Sequence, residues 1–399
     1  MLIGTALGRA GSPAHVLIAV IVVLGACAPG REERAREAAD TWSVSSEPLI
    51  TIGQLDGDPR YLFEQIAGAR LLPDGRVVVA DRGFGSVRVY GPDGSFQQEM
   101  GRPGQGPGEF EYISSISLFP PDTIVVYDSS RYRLVTYSPD GTLLSTRNIQ
   151  REGGWPESFV GRFENGDLGL AWIVRTQREP MTFATDVMQF GRFSPEGLLR
   201  ALLATATGMV RHEDGIMGMM PFSPRLHSFL HRDSVYFTDG LGDIAVAGGN
   251  GAVARTIEVP IDPVDYGEAR AQLAARMETA DVDLRPPVGF LERLDLVQEL
   301  NEAPEPESVP RVAEVLLDDE GRFWLKRYEP ASDSQVISSF ERRAGGEWWV
   351  LQPDGRVVAV IQLPDGFTPM DVRGERIVGV ASDELDVERV LVFGTARGN

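Results

Sequence analysis

The chain has 399 residues, of which 42% are hydrophobic and 24% are charged, a composition typical of a folded globular protein. Its 58 acidic and 38 basic side chains give a formal net charge of −20. Such a surface repels phosphate, so we expect no nucleic-acid partner. Cys27 is the only cysteine, which excludes an intrachain disulfide and a cysteine-based zinc cluster.

Residues 1–26 are predicted to be a lipoprotein signal peptide. The run VLIAVIVVL from Val16 is apolar but too short to span a membrane, which takes about 20 residues. The following Leu-Gly-Ala-Cys, which ends at Cys27, resembles the lipobox of bacterial lipoproteins. The resemblance implies cleavage before Cys27 and attachment of a diacylglyceryl group and acyl chains such as palmitate. An ordinary signal peptide with a chance cysteine, or a short membrane anchor, is the alternative.

The lipobox resemblance implies an exported protein that a lipid on Cys27 holds on a membrane. Residue 28 is alanine rather than aspartate, which favours the outer membrane, on its periplasmic or surface side. Residues 27–45 are small and charged and are predicted to form a solvated tether. The alternative is a short helix, because EERAREAA contains good helix formers.

Internal repetition is the strongest signal in the chain. The segments RVVVADRGFGSVRVYGPDGSF, from Arg76, and TIVVYDSSRYRLVTYSPDGTL, from Thr123, align with a spacing of 47 residues. Pro-Asp-Gly predicts tight turns with glycine at positive φ; it recurs at 73–75, 92–94, 139–141, 353–355 and 364–366. Weaker copies extend the pattern to six units, which begin near residues 66, 113, 158, 225, 311 and 367.

Four-stranded units of this length predict an all-β fold, a six-bladed β-propeller over residues 46–399. The last unit has three strands, so the strand predicted at 46–53 is expected to supply the fourth and close the ring. The run GRPGQGPGEF at 101–110, with VADRG and VYDSS, resembles NHL-type (TolB-like) six-bladed propellers. We expect Phe110 to pack between neighbouring blades.

Two segments interrupt the repeat. Residues 260–310 have helical periodicity, and we expect Asp262 to cap a helix with Pro263 in its first turn. This helical insert is interpreted as a hairpin that covers a blade edge or as a lid over the channel mouth. The methionine-rich stretch at 205–224 is predicted to plug the channel mouth, with an adaptable binding surface or soft metal ligands as alternatives.

Chain direction predicts which face binds. The turns after the first and third strands of each unit share one face, hereafter the short-turn face, and the Pro-Asp-Gly turns fall mostly there. The loops after the second strand and the links between units share the opposite face, hereafter the loop face, which carries the longer segments. Arginines there are suited to carboxylates and anionic sugars, and aromatic rings to stacking on a sugar. The alternative is solvated arginines paired with neighbouring acids. The candidate ligand-binding residues are Arg82, Tyr112, Arg131, Trp155, Arg175, Arg211, His212 and Arg327.

The sequence therefore predicts a monomeric binding module for a protein, peptide or glycan, without a cofactor. The alternative is a lactonase-like hydrolase that uses calcium or another divalent metal, or an NHL-type lyase with a site at His227 and His231. The candidate metal ligands of the hydrolase are Glu111, Asp128, Asp239 and Asp371. An aspartate at the end of a strand is more often a turn cap, which favours the binding module.

Overall fold

A computed structural model describes residues 30–119, 122–149, 155–174, 183–212, 220–248, 251–279, 296–298, 300–303, 305–334 and 345–397. The signal peptide and Cys27 lie outside the described residues. The first elements are helix α1 (Arg31–Glu37), strand β1 (Asp40–Val44), strand β2 (Ile50–Ile52) and a 3₁₀ turn (Pro59–Tyr61).

Five consecutive units each form a four-stranded antiparallel blade. Blade 1 holds β3–β6, at Ile66–Leu71, Val77–Asp81, Ser86–Tyr90 and Phe96–Met100. Blade 2 holds β7–β10, at Ile113–Phe119, Thr123–Asp128, Arg133–Tyr137 and Leu143–Asn148. Blade 3 holds β11–β14, at Trp155–Arg162, Leu168–Val174, Phe183–Phe193 and Leu199–His212.

Blades 4 and 5 repeat the arrangement, and the last unit is completed by the N-terminal strand. Blade 4 holds β15–β18, at His227–His231, Ser234–Thr238, Ile244–Ala247 and Val253–Ile257. Blade 5 holds β19–β22, at Val312–Leu317, Phe323–Arg327, Gly346–Leu351 and Val357–Leu363. Blade 6 holds β23–β25, at Phe367–Arg373, Arg376–Ser382 and Glu388–Arg397. Strand β2 pairs antiparallel with β25, so the predicted ring closure is confirmed.

The core of the molecule lies between the blades. The first strand of each blade contacts the first strand of the next, from β3 through β23 and back to β3. A cluster of buried apolar side chains fills each of the six interfaces between neighbouring blades. Phe110 belongs to the cluster between blades 1 and 2, as predicted, and is 1% exposed.

The turns of the short-turn face match the sequence prediction. In the first Pro-Asp-Gly copy the amide of Gly75 donates to the carbonyl of Leu72 at 2.9 Å. Gly75 has φ +86°, a conformation that costs glycine little and other residues more. Gly94, Gly141 and Gly355 close equivalent turns at 2.9 Å, each at positive φ.

The N-terminal segment differs from the prediction of a solvated tether over 27–45. Residues 31–37 form α1, and residues 40–44 form β1, which pairs in parallel with β22 and antiparallel with β25. Trp42 on β1 is 5% exposed and packs edge-on against Trp324 at 5.9 Å. Burial of this indole stabilises the segment on the ring, so the folded domain includes residues well before Ser46.

The helical insert is confirmed, but its first helix begins later than predicted. Helix α2 (Tyr266–Met277) is capped by Asp265, whose carboxylate accepts from the amide of Glu268 at 3.1 Å. Asp262 and Pro263 therefore precede the cap. Residues 296–298 and 300–302 are also helical. Buried residues of the insert pack with Phe222, Ala313 and Tyr328 on the loop face of blades 4 and 5.

Blade 3 extends further toward the loop face than the sequence predicted. Strand β14 continues to His212 and pairs with β13 beyond the last β12–β13 pair, Val174 with Val187. The methionine-rich stretch predicted as a loop from residue 205 therefore begins as a strand, and Met217 and Met219 lie outside the described residues. Met220 and Phe222 are buried, Phe222 against the insert.

Ring closure gives the first testable prediction. Ile52 on β2 is fully buried between blades 6 and 1. We expect Ile52→Ala to lower the free energy of unfolding by about 2–5 kcal/mol, measured by chemical denaturation, because it leaves a cavity in that interface. Leu55→Ala is the control, since Leu55 is 59% exposed. Equal effects of the two substitutions would contradict closure by β2.

Candidate functional site

Buried aspartates at one repeat position fix the backbone of the loop face in blades 1 and 2. The carboxylate of Asp81 accepts from the amides of Gly83 and Phe84, at 2.9 and 3.2 Å, and from two amides of the preceding link. In blade 2, Asp128 accepts from the amides of Glu111 and Tyr112 at 3.0 and 3.2 Å. These bonds set the backbone positions of Phe84 and Tyr112.

Three of the predicted ligand-binding residues come together beside these clamps. The guanidinium of Arg82 lies over the ring of Tyr112 at 4.4 Å, and its Nε donates to the carbonyl of Ile113 at 2.7 Å. The guanidinium of Arg131 lies 2.7 Å from the carboxylate of Glu111 on the same link. The cluster therefore presents one arginine stacked on a ring and one arginine neutralised by an acid.

The other five predicted ligand-binding residues do not join this cluster. Arg327, in blade 5, donates to Glu32 of α1. The strands place Trp155, Arg211 and His212 at the loop-face end of blade 3. Their side chains, and all of Arg175, lie outside the described part of the structure.

A set of exposed apolar side chains lies on the loop face of blades 6, 1 and 2, and Tyr112 is the one member predicted from sequence. We call this set the apolar arc: Leu55, Phe84, Tyr112 and Leu385, which are 59%, 39%, 42% and 69% exposed. Each lies on a link between blades or on a loop between the second and third strands. Leu144, another exposed apolar residue, lies on the outer strand β10. The signal for the arc was apolar residues on loop-face segments, where polar ones are usual.

The glycine-rich link before blade 2 is a structural element. Buried Arg133 donates to the carbonyls of Gln105 at 2.8 Å, Gly104 at 3.2 Å and Glu109, and to the carboxylate of Asp128 at 3.2 Å. Gly101 has φ +76°, and a Cβ there would lie 2.3 Å from the ring of Phe110. The link is thus packed around one guanidinium and one aromatic ring.

The carboxylates predicted as metal ligands have other partners. Asp239 accepts from the amides of Leu241 and Gly242 at 3.0 and 3.2 Å, and Asp128 is the clamp described above. Asp371 accepts from the amide of Leu71 at 2.9 Å, and its burial raises the pKa of its carboxyl. Within the described ranges, no group of three or more histidine, cysteine, aspartate or glutamate side chains is arranged to hold a metal ion.

The two histidines considered for a lyase site lie on β15. His227 is buried, and burial lowers the pKa of its imidazole to about 4. It forms a backbone hydrogen bond with Ala313 of blade 5, while its Nε2 has no partner among the residues that the structure describes. His231 is half-buried beside Gly321, at 3.0 Å from the position of a Cβ there. Both side chains face blade 5.

A pocket of about 530 Å³ lies on the short-turn face of blade 3. Within it, Arg192 donates to the carboxylate of Asp167 at 2.6 Å, and Arg200 lies 3.4 Å from the same carboxylate. The opposite charges thus face one another inside the pocket. None of the predicted ligand-binding residues lines it; the lining residues are Asn165, Asp167, Arg192, Pro195, Glu196, Arg200 and Ala201.

Part of the chain matches a known protein family, and solved structures resemble it at low sequence identity. Residues 55–154 match a family described as a 6-bladed beta-propeller. A putative exported protein from Bacteroides fragilis is similar over 91% of this chain and 98% of its own, at 10% identity and TM-score 0.49. Virginiamycin B lyase from Staphylococcus aureus is similar over 86% of this chain and 98% of its own, at 10% identity and TM-score 0.41.

One curated protein is similar in sequence over a short stretch. A peroxynitrite isomerase from Streptomyces griseus is 38% identical over 78 residues, which are 20% of this chain and 37% of the isomerase.

In the part of the chain that the structure describes, no helix has the length and hydropathy of a membrane span. The chain is a six-bladed β-propeller.

The packing of the glycine-rich link predicts the effect of removing its guanidinium. We expect Arg133→Met to lower the free energy of unfolding by about 3 kcal/mol or more, because carbonyls of the link and a buried carboxylate lose their donor. Limited proteolysis should show faster cleavage within residues 101–110. The control is Arg102→Met, because the side chain of Arg102 is 78% exposed. Unchanged cleavage in Arg133→Met would contradict the account.

The buried imidazole predicts a pH dependence of stability. In the unfolded chain His227 takes up a proton near its ordinary pKa of 6.5, and in the folded chain only near pH 4. The unfolded state therefore binds more protons between these values, and stability should fall as the pH drops through them, by on the order of 3 kcal/mol. His227→Gln should remove most of this dependence of the free energy of unfolding on pH, measured by chemical denaturation at a series of pH values across that range. His231→Gln, at a half-buried site, should change the pH dependence less. If the free energy of unfolding depended on pH equally in wild type and His227→Gln, the dependence would not come from His227.

Proposed function

We propose that the protein is an exported, lipid-anchored binding module that docks a protein or peptide partner on the apolar arc. The observation that carries the proposal is the exposure of four large apolar side chains on loop-face segments, of which those of Phe84 and Tyr112 are held by buried aspartates. Exposed apolar groups on a rigid scaffold are typical of docking sites, since their burial by a partner is favourable.

The chemistry of the arc favours a peptide or protein surface over a glycan. Leu55 and Leu385 are aliphatic, and one face of the Tyr112 ring is covered by Arg82, so that face is closed to a sugar. Arg82 adds a cationic group for a partner carboxylate in a chain of net charge −20. A suitable partner therefore brings apolar side chains next to an acidic residue.

A lipid on Cys27 is proposed to anchor the protein to the membrane. The lipobox-like sequence before Cys27 supports export and lipidation of that cysteine, with the protein on the outer membrane. One of the similar structures is described as a putative exported protein. We propose that the chain acts as a monomer, without a cofactor.

The hydrolase and lyase alternatives have less support. Asp128 and Asp239 accept backbone amides and Glu111 faces Arg131, so a cation would have to displace these contacts. Elemental analysis of the purified protein tests these alternatives. A stoichiometric divalent metal whose chelation abolishes a hydrolase or lyase activity would overturn the binding-module proposal.

In-cell photo-crosslinking tests the arc directly in the full chain. A photoreactive amino acid replaces Phe84 or Leu385 in the arc, or Leu144 on β10 as the control, which is 55% exposed. We expect a discrete crosslinked partner from positions 84 and 385 and none from 144. Phe84→Ser combined with Leu385→Ser should lower recovery of that partner at least tenfold, and Leu144→Ser should leave it unchanged. Equal crosslinking from all three positions, or a crosslinked glycan, would contradict the proposal.

A further inference from the structure

We infer that the loop-face rim of blades 4 and 5, where α1 begins, lies against the lipid bilayer, and that the apolar arc is directed away from it. The inference rests on the proposed lipidation of Cys27. It adds to that proposal the part of the propeller that faces the lipid surface and the direction in which a partner approaches.

The chain between the lipid and the folded domain is short. Cys27 precedes Arg31, the first residue of α1, by four positions. A fully extended chain covers at most about 3.6 Å per residue, so Arg31 lies within about 14 Å of the lipidated residue. A free tether to residue 45 would instead reach about 65 Å. The propeller is therefore held close to the headgroups.

The start of α1 is fastened where blade 4 leads into the insert. Arg31 lies 2.8 Å from the carboxylate of Glu258 and donates to the carbonyl of Val259 at 2.5 Å. Glu32 accepts from the amide of Asp262 at 2.9 Å. Glu258 and Val259 directly follow β18, the outer strand of blade 4, where the chain reaches the loop face. The anchored end of the domain is therefore at this rim.

The rest of the segment is held by burial and strand pairing. Exposed ion pairs such as Arg31 with Glu258 are individually weak. Arg36 adds a 2.6 Å contact with Glu347 and lies over the ring of Trp349 at 5.0 Å. Burial of Trp42 and the pairing of β1 with two blades contribute more, because they remove a large apolar surface from water. The segment is fixed on the ring.

Ring symmetry then sets the direction of the arc. In a ring of six consecutive blades, blade 4 lies opposite blade 1, which carries Phe84 at the centre of the arc. Two large segments, the insert and the end of blade 3, rise on the loop face nearer to the anchor. The net charge of −20 also opposes flat contact with anionic lipid. Blade 1, at the centre of the arc, is therefore the part of the ring most remote from the anchored rim.

Short-range fluorescence quenching tests this orientation in the full lipidated chain. Glu33→Cys on α1 and Glu384→Cys beside the arc are a matched pair of exposed glutamates. The lipid blocks the sulfur of Cys27, so each introduced thiol can be labelled selectively with a small fluorophore. The labelled proteins are reconstituted into phosphatidylethanolamine and phosphatidylglycerol vesicles that carry a nitroxide on the lipid headgroup. We expect at least threefold stronger quenching at position 33 than at position 384.

A long linker provides the control for tether length. A glycine–serine insertion between Pro29 and Gly30, as long as the tether predicted from sequence, should reduce quenching at position 33 to the level at 384. Equal quenching at both positions, or stronger quenching at 384, in protein whose Cys27 is shown by intact mass to carry lipid would overturn the orientation and leave the lipidation intact. An intact mass without lipid would overturn the lipidation itself, and the orientation with it.

Discussion

Apolar packing between neighbouring blades is the interaction on which the rest of the structure depends. No blade buries its own faces; each does so only against the next, through clusters such as the one that contains Trp349 and Phe323 between blades 4 and 5. A ring of this kind leaves two unburied faces and two free strand edges until its ends meet. Strands β1 and β2 bring the ends together, and they do so at the seam where blades 5, 6 and 1 adjoin.

The same repetition explains how the backbone of the loop face is fixed at Phe84 and Tyr112. Asp81 and Asp128 occupy one repeat position, and each ties the link that enters its blade to a loop of that blade. Both carboxylates accept hydrogen bonds from backbone amides, which makes them poor candidates for metal ligands. The side chains that belong to the tied amides, Phe84 and Tyr112, are exposed on the loop face.

Local patterns predicted the fold well and the site only in part. Pro-Asp-Gly turns and alternating strands depend on neighbouring residues, so the blades, the closing strand and the packing of Phe110 followed from sequence. The stacking of Arg82 on Tyr112 depends on register between a loop and a separate link, and no local pattern reports it. The N-terminal segment is rich in charged helix formers, so its local sequence does not indicate that it packs on the ring. Its stability comes from one buried residue, Trp42, and from partners about 300 residues away.

Hydrogen exchange of the N-terminal segment tests the central claim most directly, because that claim makes residues 40–52 part of the ring. Mass spectrometry of exchanged full-length protein should show the amides of β1 and β2 protected as strongly as those of their partner β25. Exchange of residues 40–52 at the rate of an unstructured peptide, with the blades protected, would contradict the account: the ring would then close without the N-terminal strands.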